Sequence, residues 1–149
     1  ALRNGQAIWT MLSSLLSPRL DALFALLRGG AGLMLAFHGM QKLFGVLSEH
    51  MPPVGSQLWF GGLIELTTGL AIALGLLTTP AAFLASGTMA VAYVQFHWQF
   101  SLGPRFFPTI NQGELALLYS LLFLFIAAHG GGRFSADAWF HVRRGRRSS

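Results

Sequence analysis

Four long apolar segments, separated by short polar connections, dominate the hydrophobic pattern of the chain. They cover about residues 19–46, 57–77, 79–100 and 111–129. Each is close to the roughly 20 residues that a helix needs to cross the hydrocarbon core of a bilayer. The pattern therefore predicts an all-α membrane protein, an antiparallel four-helix transmembrane bundle that occupies residues 19–132.

The two ends of the chain have a different pattern. Residues 1–18 hold an apolar run that is too short to span a membrane and is interrupted by hydroxyl side chains. We expect this segment to form a helix that lies in the membrane interface. Residues 133–149 combine a short amphipathic segment with a basic tail, which we expect to lie at the cytoplasmic surface.

Helix boundaries are indicated by capping residues and prolines. Ser17–Pro18 and Thr79–Pro80 each combine an N-cap residue with a proline at the first helical position. Asn111 and Glu114 have the spacing of a capping box at the start of the fourth segment. Ser135 is a candidate cap for a last short helix. These signals predict where the helices begin.

The composition of the 149 residues also supports a membrane location, since 53% are hydrophobic and only 10% are charged. The chain has no cysteine, which excludes disulfides and thiolate metal sites. Half of the basic residues follow the fourth segment, so the net charge of +5 fits membrane topology better than nucleic-acid binding. With an even number of spans, the positive-inside rule predicts that both termini are cytoplasmic.

Ionisable residues inside the apolar segments are the candidate functional groups, because charges at membrane depth are costly and usually mark a functional path. His38 and Lys42 lie one turn apart in the first segment, and Glu65 lies in the second. In an antiparallel pair, Glu65 comes level with His38. His97 and Glu114 lie near the same end of the third and fourth segments. We therefore expect a polar cluster in the outer half of the bundle.

Arg28 is a lone cation in the inner half of the first segment. We predict that it forms a structural ion pair with Asp137 or caps the backbone carbonyls that end the fourth segment. Both predicted partners lie at the cytoplasmic end of the bundle.

Each ionisable residue of the outer half also has a structural interpretation. Lys42 can donate to a quinone carbonyl or an anionic substrate, or it can extend to the membrane interface. Glu65 can act in proton transfer, or it can form a structural pair with Lys42 or His38. For Glu114 we favour the capping role over a proton relay.

Cofactor ligation is a further alternative for the two histidines of the cluster. His38 and His97 can in principle ligate a single b-type haem between the first and third helices. We favour hydrogen-bonded polar residues or quinone contacts, because two histidines near one face of a helical bundle are common. The sequence contains no paired metal motif, nucleophilic triad or phosphate-binding loop, and we predict no metal site.

Four short motifs occur in order along the chain: HGMQKLFG at 38–45, ELTTGL at 65–70, NQGE at 111–114 and GGRFSAD at 131–137. Together they resemble the DoxX family of small four-span membrane proteins over residues 20–140. The resemblance implies a bacterial inner-membrane protein related to the membrane subunits of quinone-linked oxidoreductases, such as thiosulfate:quinone oxidoreductase. Some relatives resemble membrane anchors in oxidative-stress complexes.

The resemblance and the polar cluster together predict a membrane subunit that binds the headgroup of a quinone or quinol in the outer half of the bundle. Glu65, Lys42 and His38 are the expected catalytic groups, as hydrogen-bond donors and proton carriers. The expected quinone contacts are His38, Lys42, Glu65, Tyr93 and His97. The expected proton relay consists of His97 and Glu114. Glycines 39, 61, 62 and 69 are expected to leave room for a flat ring.

The expected partners are membrane lipids and other subunits of a membrane complex, with no nucleic acid among them. The chain has no evident redox cofactor, so we expect a soluble redox partner to supply the electrons and do not expect catalysis by this chain alone. Two other functions stay open. One is a non-catalytic membrane anchor or scaffold of a larger complex, and the other is a carrier of small solutes or lipids.

Overall fold

A computed structural model describes residues 10–145, with side chains up to residue 141. All regular structure in this part of the chain is helical, which confirms the all-α expectation. The five longer helices are α1 (Leu20–Phe44), α2 (Gln57–Leu74), α3 (Thr78–Ala92), α4 (Glu114–His129) and α5 (Ala136–Gly145).

Shorter helical pieces extend and connect these helices. Residues 10–16 are helical and lead through a 3-10 turn, Ser17–Arg19, into α1. A π-helix, Tyr93–Trp98, continues α3. Two single turns, Pro104–Phe106 and Pro108–Asn111, form most of the connection to α4. The first half of the predicted interfacial segment lies outside the described residues.

Two of the predicted helix starts differ from the sequence expectation. No side chain caps the start of α1, because the backbone stays helical through Ser17 and Pro18. Helix α3 begins at Thr78, with Leu77 at the N-cap in the left-handed conformation, so Thr79 lies inside the helix. Its capping oxygens come from a distant part of the chain, as described below.

The predicted capping box of α4 is also wrong. Gly113 is the N-cap residue, and Glu114 is the first residue of the helix. The Asn111 side chain instead accepts a hydrogen bond from the Gly113 N–H at 2.8 Å, because Asn111 ends the preceding single turn. Ser135 does cap α5, with its hydroxyl 3.1 Å from the Ala138 nitrogen.

Helices α1 and α2 pack antiparallel along most of their length through glycines. A Cβ atom built on Gly32, Gly39 or Gly69 would lie 2.5–2.6 Å from backbone atoms of the other helix. Small residues of this kind let two helix backbones approach closely. Glycines 39, 62 and 69 therefore serve this helix contact, and the expectation that they leave room for a ring is wrong. Gly61 alone of the four has open space around it.

The core is built from all of the first four helices. Its fully buried side chains include Leu35 of α1, Ile72 of α2, and Phe123 and Ile126 of α4, with Ala85 of α3 packed among them. The core thus combines a few large side chains with small residues such as Ala31, Ala82 and Ala85, which let the helices approach each other.

Large apolar side chains cover the outside of the helices. Phe83, Leu26 and Leu118 are all exposed. Thr10–Phe44 and Gln57–Leu74 are long and apolar enough to cross a membrane, and Glu114–His129 is a shorter apolar helix. We call the end where α1 begins and α2 ends the Arg28 end. The opposite end, where α1 ends and α2 begins, is the Lys42 end.

Candidate functional site

An ion pair joins α1 and α2 near the Lys42 end. Lys42 Nζ lies 2.5 Å from Glu65 Oε1. The aliphatic stem of Lys42 crosses Gly62, where a Cβ would lie 2.7 Å from the Lys42 Cβ, so the glycine contact brings the two charges together. Glu65 is only 3% exposed, whereas the Lys42 side chain is 31% exposed. The sequence left Lys42 and His38 open as partners of Glu65, and in the structure the partner is Lys42.

A cavity of about 280 Å³, which we call the polar chamber, opens beside this ion pair. Side chains from α1 to α4, the π-helix and the turn before α4 line it. Its polar lining residues are His38, Lys42, Glu65, His97, Gln112 and Tyr119. Four of the five predicted quinone contacts therefore share one cavity, although they come from three separate segments of the sequence.

Two polar atoms of the chamber residues are buried without a hydrogen-bond partner among the described residues. They are Glu65 Oε2 and the Tyr119 hydroxyl oxygen. Leaving a buried polar atom unpaired costs about 1–3 kcal/mol. Two residues that line the chamber therefore each carry a polar group, one acceptor and one hydroxyl, that no described residue pairs.

His97 reaches the chamber from the π-helix that continues α3. Its Nδ1 lies 3.2 Å from the carbonyl oxygen of Asn111, which ties the π-helix to the turn before α4. Single π-helical turns inserted in α-helices are frequent at functional sites. His38 lines the same cavity from α1. A haem ligated by the two histidines stays the alternative that the sequence does not favour.

Two predicted site residues do not line the chamber. The Tyr93 ring packs against Gly113, where a Cβ would lie 2.7 Å from ring carbons, and its hydroxyl lies 3.5 Å from the Phe106 carbonyl oxygen. The connection between α3 and α4 thus covers Tyr93. Glu114 is exposed in the first turn of α4. Glu114 does not line the cavity.

Sequence reasoning missed two chamber residues. Tyr119 lies in an apolar run of α4, where its ring stacks on Phe123 with centroids 5.4 Å apart. The sequence could have indicated Tyr119, because its hydroxyl is the polar group on an otherwise apolar stripe that also contains Phe123 and Ile126. Gln112 belongs to the NQGE motif and adopts a left-handed conformation, with φ of 60°, at the end of the turn.

Arg28 and Asp137 lie near enough to interact electrostatically, but the described residues show no direct salt bridge between them. Arg28 is buried and donates to the carbonyl oxygens of Ile72, Ala73 at 2.9 Å and Phe134 at 2.8 Å. Two of these carbonyls belong to the last turn of α2, so Arg28 caps α2 and not the fourth helix. Gly75 ends α2 in the left-handed conformation, with φ of 69°, and its N–H also donates to the Ile72 carbonyl, so Arg28 is a second donor to that oxygen.

Asp137 caps the start of α3. Its two carboxylate oxygens accept hydrogen bonds from the Leu77 N–H at 2.8 Å, the Thr78 N–H at 2.9 Å and the Thr78 hydroxyl at 2.8 Å. Burial alone would raise the pKa of the Asp137 carboxyl, but these hydrogen bonds outweigh it and hold the pKa below its usual range. The nearby His141 lowers this pKa further.

Comparison with known proteins identifies the family. The DoxX family model matches residues 23–98, from the first turn of α1 to the end of the π-helix. The chain belongs to the DoxX family. An uncharacterised protein of Haemophilus influenzae is 46% identical over 83 residues, which are 56% of this chain and 61% of that relative. The match thus spans about three fifths of the curated relative. No solved structure matches the chain.

Family membership defines the general class of this DoxX protein. The family and the apolar helices indicate a membrane protein, and the family is often associated with oxidoreductase-related function. The matched region contains His38, Lys42, Glu65 and His97, whereas Tyr119 lies beyond it.

Proposed function

We propose that this protein is the integral membrane subunit of a quinone-linked oxidoreductase complex, and that the polar chamber binds the quinone headgroup. One observation carries the proposal. Glu65 and Tyr119, whose Oε2 atom and hydroxyl are buried without partners among the described residues, line one cavity together with Lys42, His38 and His97.

The donor set of the chamber suits a quinone ring. When bound, a quinone accepts two electrons and two protons and becomes a quinol. Its two carbonyl oxygens need donors, and the Tyr119 hydroxyl and the Lys42 ammonium can supply them. Glu65 Oε2 can hold or release a proton at the chamber, with Lys42 retained on Oε1. The electrons would come from a soluble partner subunit that carries its own redox cofactor.

His97 is the proposed route for protons between the chamber and the surface. It lines the cavity with Nδ1 turned to the Asn111 carbonyl, which leaves Nε2 to exchange a proton. Glu114, predicted as a second relay group, is exposed at the start of the next helix, so it would act at the surface end of such a route.

We further propose that helices α1 to α4 all cross the bacterial inner membrane, with both termini in the cytoplasm. The arginines on both sides of the four apolar segments support this orientation. It makes the Lys42 end face the periplasm. A single cysteine introduced at Ser48, in the exposed α1–α2 connection, should react with a membrane-impermeant reagent from the periplasm. Reaction from the cytoplasm alone would reverse the orientation.

The test of the headgroup site compares the two tyrosines of the chain. The purified protein is titrated with a tailless dimethoxy-methyl-benzoquinone while tryptophan fluorescence is recorded. Tyr119→Phe should weaken binding about tenfold, since a hydrogen bond to a ligand contributes about 0.5–1.5 kcal/mol. Tyr93→Phe is the matched control and should bind normally. If Tyr119→Phe and Tyr93→Phe bind the quinone with equal affinity, and Glu65→Gln binds it as wild type does, the polar chamber is not the headgroup site.

A second candidate function is a non-catalytic membrane anchor. The position of the Lys42–Glu65 pair within the α1–α2 contact favours it, because such a pair can serve to join two helices. An anchor predicts that Glu65→Gln loses stability or partner subunits. The quinone site predicts that the variant folds and loses the ligand.

A further inference from the structure

A second cavity of about 460 Å³ lies between α2 and α3, and we call it the apolar groove. Its walls are almost entirely hydrocarbon and carry Leu58, Ile64, Phe83, Leu84, Val91 and Phe96. Most of these side chains are exposed on the outside of the helices, where a membrane protein meets lipid. The groove follows α3 and the π-helix from Phe83 to Phe96, which is roughly 20 Å at about 1.5 Å per residue.

The groove and the polar chamber meet at the ion pair. Lys42, Glu65 and Ala92 line both cavities. One side of the Lys42–Glu65 pair thus faces a cavity with unpaired polar atoms, and the other side faces a hydrocarbon-lined groove. A molecule that occupied both would need a small polar head and an elongated apolar tail.

The groove is bounded at its Lys42 end and widened in its middle. The Gln57 side chain donates to Gln95 Oε1, which ties the start of α2 to the π-helix there. Gly61 of α2 and Gly87 of α3 both line the groove, and a Cβ on either would meet nothing within 4 Å. The open side of the groove therefore faces the membrane, between α2 and α3.

We propose that the apolar groove holds the isoprenoid or alkyl tail of the ligand whose head lies in the polar chamber. The inference rests on the proposed headgroup site and extends it to a ligand class, a lipid-soluble amphiphile with a ring-sized polar head. Such a ligand reaches the site sideways from the bilayer, between α2 and α3. The Lys42–Glu65 pair lies where the head joins the tail.

The test uses two probes with the same head, the tailless benzoquinone and its decyl-substituted analogue. Each is titrated into the purified full chain in detergent, and tryptophan fluorescence and melting temperature are both recorded. The decyl probe should bind at least tenfold more tightly, because its tail makes van der Waals contacts with the groove walls that the tailless probe lacks. Gly87→Leu places a side chain in the groove at a position where its Cβ meets nothing within 4 Å, so it should abolish this gain and leave the tailless probe unaffected.

Gly30→Leu is the matched control. It makes the same change on α1, where a Cβ also meets nothing within 4 Å and where the residue does not line the groove. Gly61→Leu, on the opposite wall from Gly87, should repeat the Gly87→Leu result. Melting temperatures close to wild type show that all three variants are folded.

The outcomes separate the two proposals. If the tailless probe does not bind wild type, the headgroup site fails. If it binds and the decyl probe binds no better, or Gly87→Leu keeps the full decyl gain, the tail site is overturned while the headgroup site stands. If Gly87→Leu changes only the oligomeric state in light scattering, the groove is an interface between copies and the tail site is again overturned.

Discussion

The Arg28 end and the Lys42 end both bury charged side chains, but they use them differently. At the Arg28 end, charged groups contact backbone atoms that helices leave unpaired. Arg28 donates hydrogen bonds to carbonyls in the last turn of α2, and Asp137 accepts hydrogen bonds from the N–H groups at the start of α3. The charges match the partial charges of those helix ends. A structural role accounts for both residues.

At the Lys42 end, the charged groups contact each other and not the backbone. Glu65 lies in the middle of α2, where the backbone groups are already paired within the helix. Its second oxygen and the Tyr119 hydroxyl lack partners among the described residues, beside a cavity. The Arg28 end has one comparable atom, Arg28 Nε, and a cavity of about 430 Å³ that is lined by Ser135, Asp137 and His141 but not by Arg28. The difference separates a structural cluster from a candidate binding site.

The largest expected effect comes from Arg28. Arg28→Met keeps the buried volume but removes the hydrogen bonds that Arg28 donates to three carbonyls, so the free energy of unfolding should fall by about 3–5 kcal/mol. Arg133→Met is the matched control. Arg133 is 78% exposed and lies 3.9 Å from Asp21, so its loss should change little. Denaturant unfolding in detergent measures both, and equal stability of the two variants would contradict the structural role of Arg28.

Asp137 should give a smaller and pH-dependent effect. Asp137→Ala removes the cap of α3 and should cost about 1–2 kcal/mol near neutral pH. Because the folded pKa lies below the unfolded value, the ionised carboxylate stabilises the fold at any pH above the unfolded value of about 3.9. That contribution is lost as the pH falls through the lower, folded pKa. The melting temperatures of wild type and Asp137→Ala should therefore converge as the pH is lowered. A difference in melting temperature that grows at low pH would contradict the capping role of Asp137.

Glu65→Gln should cost less stability than either change at the Arg28 end. Glutamine keeps the shape of the side chain, and the partly exposed Lys42 can turn its ammonium toward solvent. We expect a loss of at most about 1 kcal/mol, together with loss of bound quinone. If the variant unfolds as readily as Arg28→Met, both ends are structural and the contrast between them disappears.

Tyr119→Phe should have the smallest effect on stability, within about 0.5 kcal/mol of wild type or slightly stabilising, because it removes a buried hydroxyl that has no partner. The thermal unfolding midpoint in detergent measures it, with Tyr93→Phe beside it. A clear destabilisation would show that the hydroxyl is bonded in the folded protein and would weaken the case for the chamber.

The sequence predicted the parts of this architecture that depend on local pattern. The helices follow from apolar segments, and the shared cavity of His38, Lys42, Glu65 and His97 follows from equal depth in antiparallel helices. The capping of α3 could not be predicted, because Asp137 is 59 residues away from Thr78. A serine or threonine beside a proline suggests a local cap, and only the tertiary packing shows that a distant carboxylate replaces it.

The partners of Arg28 and the role of Tyr119 were missed for a related reason. Arg28 reaches α2 only because glycines bring the two backbones together, a distance that hydrophobic pattern does not specify. Tyr119 fits an apolar stripe as well as phenylalanine would. Its importance depends on whether its hydroxyl finds a partner, which is a property of the folded core.

The most direct test of the central claim is photoaffinity labelling with a tailless azidobenzoquinone, followed by peptide mapping by mass spectrometry. The account predicts labels on peptides that line the polar chamber, near His38 and Tyr119, that unlabelled benzoquinone suppresses and Glu65→Gln reduces. Labels confined to the lipid-facing side chains of α1 or α4, or chamber labels that are identical in Glu65→Gln and wild type, would contradict it.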